Sequence, residues 1–303
     1  MIHGLLAVNK PSGVTSHDVV ETVRRLFKMK KVGHFGTLDP LASGLLLIGL
    51  GNATKFFDFY MKKKKVYSGK IRFGYATTTY DAEGDPLSEP KGVDLGTVDI
   101  DALLAAFTGK QMQLPPLYSA KKYKGKPMYM YAREHKTEEV ARKPVPVEVY
   151  RLEGRMVDPC TLWFRAETSS GTYIRSLAHD MGEKLGVGAH LHELKREQVG
   201  DFLLDHAFTP EAIADLLASG KTGELITPIE ALLPEFPRII VTPNARNAIL
   251  NGQALMPGDV LKIITGENND HFRIFDDQGQ LLAMASKDPH LMRFNPYLVF
   301  NHA

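Results

Sequence analysis

The chain has 303 residues, 44% of them hydrophobic and 24% charged, which suits a soluble globular protein and excludes a mainly disordered chain or a fibrous repeat. The net charge of +2 divides unevenly, as +9 over residues 1–80, −5 over 81–118, +5 over 119–143 and −6 over 201–303; this asymmetry is a cue for a polyanion partner, although a lysine-rich solvated face would look the same. A single cysteine excludes an internal disulfide or a cysteine-built metal centre, no stretch approaches the roughly 18 apolar residues of a membrane span, and the MIHGLLAVNKPSG start is unlike a secretory signal, so a cytoplasmic protein is expected.

Residues 3–8 read as a short buried strand closed by the NKPSG turn. Ser16 looks like an N-cap, and Val19, Val20, Val23 and Leu26 are spaced for a helix over 17–27. The stretch 33–44, GHFGTLDPLASG, is too rich in glycine and proline to sustain a ladder and reads as a loop. Residues 45–50 form an apolar run of strand length, and 53–60 fit one or two helical turns. A strand over 66–75, a loop at YDAEGDP and a short helix over 100–107 follow.

Residues 111–146 hold five prolines, several tyrosines and many lysines without a period, as in a functional excursion. Strands are predicted at 147–152 and 161–168, and a helix at 172–185 stopped by Gly186. PEFP at 234–237 marks a boundary. Beyond it come a helix over 244–250 and strands near 260–264, 272–275 and 281–285.

Asp39 sits between leucine and proline in the glycine-rich loop, ahead of a strand able to hold it rigidly. An LDP tripeptide alone is usually a turn. The wider pattern decides. GLLAVNKPSGVTSHDVV, GHFGTLDPLASGLL, KKVYSGKIRFG, PPLYSAKKYKGKPMYMYAR and SSGTYIRSLAHDMGEKLGVGAHLHELKR, in this order over about residues 3–200, resemble the TruB family of bacterial tRNA pseudouridine-55 synthases. The segment from about 238 more loosely resembles the PUA module often appended to them.

The resemblance implies an α+β pseudouridine synthase fold, with a mixed, largely antiparallel central sheet flanked by helices. It implies a catalytic domain over 1–235, with a basic insertion at about 119–146, and a small β-rich PUA-like domain over 236–303. It further implies isomerisation of uridine 55 in the T-loop of tRNA, by base flipping and without cofactor or metal. The N1–C1′ bond breaks and a C5–C1′ bond replaces it. Asp39 falls on the catalytic aspartate, which either attacks C1′ or removes the C2′ proton, with elimination through a glycal favoured. Arg175 matches the arginine that pairs with it, and Tyr67 the tyrosine stacked on the target base. Tyr173 and Leu194 match further lining of the uridine pocket. His34 matches a histidine supporting the extruded nucleotide, and Lys10 a lysine that positions backbone or contacts phosphate. On local sequence alone, Arg175 would be a helix-surface arginine, and Tyr173 and Leu194 core residues.

Lys62–Lys65 and the basic excursion are expected to contact phosphates, making binding salt-sensitive. The expected partner is tRNA, at the T-arm and, through the PUA-like part, the acceptor end. No obligatory protein partner and no membrane are expected, and the chain is expected to be monomeric. His190 and His192 could share a strand face, but no third ligand is indicated, so they read as structural. Cys160 reads as a buried core thiol. The rival reading is a tRNA-binding module or chaperone that does not use the catalytic step; Asp39, Tyr67 and Arg175 standing together speak against it.

Overall fold

The computed structural model describes residues 2–119, 122–123, 125–134, 141–288, 290 and 293–301. Ten strands form one mixed sheet. Its N-terminal half begins with β1 (Gly4–Lys10), α1 (Ser16–Phe27), β2 (Val32–His34) and β3 (Ser43–Leu50). A 3₁₀ turn (Gly51–Phe56), α2 (Phe57–Lys62) and β4 (Lys65–Phe73) follow. Then come α3 (Ile100–Ala106), β5 (Gly109–Gln113), a small hairpin of β6 (Lys122–Tyr123) and β7 (Lys126–Pro127), and α4 (Met128–Arg133). The sheet is completed by β8 (Val145–Asp158), β9 (Thr161–Thr168), α5 (Ile174–Leu185), β10 (Ala189–Val199), β11 (Phe202–Leu203), α6 (Pro210–Ala218), α7 (Thr222–Leu225) and β12 (Ile226–Pro228).

The strand order is β12-β1-β3-β10-β4-β9-β8-β5, with β2 on β3 and β11 on β10. Every pairing is antiparallel except the short parallel contact of β10 with β3. A second sheet, ordered β14-β13-β15-β16-β17, follows: β13 is Arg238–Val241, β14 Val260–Ile264, β15 Phe272–Phe275, β16 Leu281–Asp288 and β17 Arg293–Val299, with α8 (Ala245–Leu250) packed beside them.

The apolar runs of β1 and β3 reflect burial on both faces. Leu5, Leu45 and Leu47 face one core, and Leu6, Val8, Leu46 and Ile48 the other. That second core is covered by Val19, Val20 and Val23 of α1. The helix starts one residue earlier than expected. Thr15 is the N-cap and Asp18 completes a capping box, which frees Ser16 to turn inward. A third core lies under α5, where Ile174, Leu177, Ala178 and Met181 pack on Ile71, Leu162 and Phe164. Gly186 closes α5 in the left-handed conformation, φ 70°.

Several expectations are corrected. Residues 33 and 34 belong to the three-residue β2, because Gly33 and His34 pair with Gly49 and Ile48. The excursion starts as a ladder, β5 pairing with β8, and carries the hairpin and α4; its residues 120–121, 124 and 135–140 lie outside the described residues. Strand β10, central to the sheet, has no apolar period that marks it in the sequence. His190, on it, is buried and faces the Tyr75 carbonyl at 3.2 Å, while His192 is exposed. Cys160 is half-exposed in the β8–β9 turn, where its thiol contacts Asp158. Among the described residues no helix is long and apolar enough to cross a membrane.

The two sheets share one core. Phe275, Leu281, Met284 and Phe300 pack with Phe56, Phe236 and Leu47. Phe56 and Phe300 stack with ring centroids 5.1 Å apart. Asn52 Nδ2 donates to the Asn301 carbonyl at 2.7 Å, and Lys55 Nζ donates to that of Val299. Unfolding should therefore be one transition, with Trp163 fluorescence in the large sheet and overall circular dichroism coinciding in urea. Phe300→Ala should cost about 3–5 kcal/mol of stability for the whole molecule. Two separated transitions would show the sheets to be independent.

Candidate active site

The loop between β2 and β3 is gripped from several sides. Ser16 Oγ holds both backbone groups of Leu38, accepting from its amide at 2.8 Å and donating to its carbonyl at 3.0 Å. The Gly13 amide donates to the Pro40 carbonyl at 2.8 Å, and Ser12 Oγ to that of Leu41 at 2.7 Å. Lys10 is fully buried, its ammonium donating to the carbonyls of Val14 (2.6 Å), Pro11 (2.9 Å) and Pro40 (3.4 Å). Burial pulls its pKa down to about 8, partly opposed by Asp39. Lys10 thus fastens the NKPSG turn to the Asp39 loop. Gly44 lets β3 approach β10 here: a Cβ on it would lie 2.4 Å from the Arg196 carbonyl, and its φ is +100°.

This grip presents Asp39 to Arg175, on the first turn of α5. Arg175 Nε lies 2.9 Å from Asp39 Oδ2, without hydrogen-bond alignment, and Nη2 donates to Oδ1 at 3.2 Å. The Arg175 side chain is 5% exposed and that of Asp39 38%, so the carboxylate remains reachable while its partner does not. Arg175 also donates to the carbonyls of Thr79 (3.0 Å) and Tyr118 (2.7 Å), and lies 3.5 Å from Asp81 Oδ2. One guanidinium thus serves two carboxylates. Burial raises the Asp39 pKa above the ordinary carboxylate value; Arg175 opposes the shift and Asp81 adds to it.

Asp39 and Arg175 share a cavity of about 220 Å³ with Tyr67, Tyr173, Leu194 and Arg196. Tyr67 on β4 pairs across the ladder with Arg196 on β10, and Gly69 with Leu194, so these side chains share one face. Bulges after Leu191 and Arg196 interrupt that ladder on either side. Tyr67 and Leu194 also touch both the α1 core and the α5 core. Tyr173 is the N-cap of α5, and the buried Gln113 side chain binds its amide at 2.7 Å and its carbonyl at 3.0 Å. Burial raises the Tyr173 phenol pKa, partly opposed by a hydrogen bond with Ser119.

Two of the expected site residues stand outside this cavity's lining. Lys10 lies behind the loop. His34 ends β2 half-buried, its Nδ1 without a hydrogen-bond partner, and burial lowers its pKa. Lys65 is also corrected: it faces inward, donating to the carbonyls of Met61 (2.6 Å) and Lys63 (2.7 Å), so it is no phosphate contact, while Lys62 and Lys64 remain exposed. Among the described residues, no group of three His, Cys, Asp or Glu could hold a metal ion.

Three residues escaped the sequence reading. Asp81 was one acid among several in a loop. Gln113 lay in a stretch without a period. Arg196, in LKREQV, had the look of a charged surface. It is 1% exposed, donating to the carbonyls of Leu45 (2.7 Å) and Gly36 (3.0 Å) and hydrogen-bonded to Tyr67. The only hint was its i, i+2 spacing from Leu194.

Residues 24–174 match the family model described as TruB family pseudouridylate synthase (N terminal domain), and residues 175–234 match the tRNA pseudouridylate synthase B C-terminal domain. The tRNA pseudouridine synthase B of Solibacter usitatus is 44% identical over 82% of this chain and 85% of its own length. That of Thermotoga petrophila is 40% identical over 95% of this chain and 91% of its own. A solved structure of an H/ACA RNP bound to a substrate RNA containing 2′-deoxyuridine has the same fold, with a TM-score of 0.73 at 23% identity over 98% of this chain and 85% of that one.

If Asp39 must be ionised to act, activity falls as pH drops through its raised pKa. The acid limb of the single-turnover rate should lie above the ordinary carboxylate value of 3.8. Arg175→Gln removes the opposing cation, so the limb should move to still higher pH. A limb that stays in place would show that the guanidinium does not set the ionisation.

Proposed function

The chain belongs to the TruB family of pseudouridylate synthases and isomerises uridine to pseudouridine in tRNA; we propose that its target is uridine 55 of the T-loop and that Asp39 carries the reaction. The observation behind the residue assignment is the reachable Asp39 carboxylate, set against a buried guanidinium in a cavity that Tyr67 also lines. The lining suits a swung-out pyrimidine. The Tyr67 ring offers a stacking face, with Leu194 and Tyr173 beside it. Extrusion costs a few kcal/mol of lost stacking, offset by these contacts.

The ionised Asp39 acts at the sugar, through C1′ or through the C2′ proton. Either way N1 leaves with the electrons of its bond to C1′. The base turns within the cavity and C5 bonds to C1′, either displacing the Asp39 carboxylate from C1′ or as Asp39 returns the proton to C2′ of the glycal; the C5 hydrogen is then lost while N1 gains a proton. As a phenolate, stabilised by the neighbouring Arg196, Tyr67 would take that hydrogen as a proton and end the step as a neutral phenol. No cofactor is needed, because the product is an isomer of the substrate and only protons are exchanged with the surroundings. The chain would act as a monomer, without an obligatory protein partner. Exposed Lys62 and Lys64 would contact T-arm phosphates, and the second sheet would serve as a PUA-like part reaching toward the acceptor end, in the cytoplasm where tRNA resides.

A tRNA tritiated at C5 of uridine 55 should release label to water with the native protein. Asp39→Asn should release none while still binding tRNA. Full release by that variant would remove Asp39 from the mechanism, and no release by the native protein on any T-arm substrate would favour a binding module. Binding should also weaken linearly with log salt, and Lys62→Gln with Lys64→Gln should each reduce the slope by about one.

A further inference from the structure

Arg175 is held by more than Asp39. Its Nη1 reaches the Thr79 carbonyl at 3.0 Å and the Asp81 carboxylate at 3.5 Å. Between these two residues stands Tyr80, with φ +64°. A bulky L-residue rarely adopts this left-handed conformation, and one that does must be kept there by its surroundings. Its backbone is tied twice, the amide to the Thr77 carbonyl at 3.2 Å and the carbonyl to the Leu191 amide at 2.9 Å. Its ring lies flat on the His179 imidazole, with centroids 3.8 Å apart and planes 7° from parallel.

His179 is four residues beyond Arg175 on α5, so both project from one face of that helix. The turn therefore meets α5 twice, through Arg175 and through His179. The imidazole is used for its face: its Nδ1 is shielded and has no hydrogen-bond partner. Arg142, at the far foot of the basic insertion, donates to the Tyr80 hydroxyl at 3.4 Å and to the Pro115 carbonyl at 3.4 Å. At the near foot, the Tyr118 carbonyl accepts from Arg175 at 2.7 Å. Both ends of the insertion thus touch this assembly.

We propose that Tyr80 and His179 are positioning residues for the isomerisation: their flat stack fixes the 79–81 turn, so that the Thr79 carbonyl and Asp81 carboxylate aim Arg175 at Asp39. The proposal rests on the reading of Asp39 and Arg175 as the reacting pair. The stack touches no substrate. Its removal loosens the guanidinium within a preserved pocket and slows the chemical step, leaving tRNA affinity in place.

The test is single-turnover tritium release at saturating protein, with tRNA binding and urea midpoints measured in parallel. Tyr80→Ala and His179→Ala should slow release by about 10- to 100-fold, the scale of a misplaced catalytic group, with the dissociation constant for tRNA within about threefold of native. Tyr80→Phe and His179→Phe keep a stacked ring and should retain most of the rate. Tyr80→Gly relieves the backbone strain but supplies no ring, so it should be as slow as Tyr80→Ala. A native rate in Tyr80→Gly or His179→Ala would overturn the proposal, as would equal losses in the Phe and Ala variants or a loss confined to affinity or stability. Arg175→Gln separates the two readings. If it is slow while the stack variants are native, only the stack proposal falls; if it is native too, the Asp39–Arg175 pairing falls with it.

Discussion

A single guanidinium shared by two carboxylates is the constraint around which the rest of the molecule is arranged. Arg175 lies almost wholly out of water, between Asp39 and Asp81. Burying a charge is costly unless partners satisfy it, and here two backbone carbonyls complete the set. The acidic pair outnumbers the cation. Asp39 is therefore attracted to Arg175 yet poorly solvated and repelled by Asp81, and its proton affinity rises. A carboxylate held under such conditions is more basic than one surrounded by water.

The geometry that makes this possible comes from packing remote from the chemistry. The α1 core and the α5 core meet at Tyr67 and Leu194, so the cavity sits on the seam between two well-filled interiors. Strand β10 carries that seam. It joins β3 to β4 and supplies both Leu194 and the buried Arg196. The Asp39 loop has little regular structure of its own and borrows its rigidity from Lys10, Ser12, Gly13 and Ser16.

The sequence displayed some of this plainly and concealed the rest. The runs in β1 and β3 and the valines of α1 announce themselves, because burial on two faces or one stripe writes a simple period. The GHFGTLDPLASG string exposes Asp39 because a loop so rich in glycine and proline asks for a reason to exist. Strand β10 hides because AHLHELKREQV spends inward positions on His190 and Arg196, which break the apolar period, and Arg196 has the look of a charged surface. Gln113, Asp81 and the Tyr80–His179 pair meet their partners through backbone groups, a shared guanidinium and stacking across 60 residues or more, and no local pattern encodes such partners. Lys65 misleads in the other direction: it looks solvated in the sequence and is turned inward onto carbonyl oxygens.

The seating of Phe300 on Phe56 has a bearing on how the polypeptide is made. Asn52 and its partner Asn301 are 249 positions apart. At ordinary translation rates of ~5–20 residues per second, the first of them is synthesised roughly 12–50 s before the second. Throughout that interval the aromatic surface around Phe56 has no lid. The nascent chain can draft its first sheet but cannot seal it, so maturation waits on the codons around Phe300, and a ribosome stalled before them holds an oily, half-finished face in need of shelter.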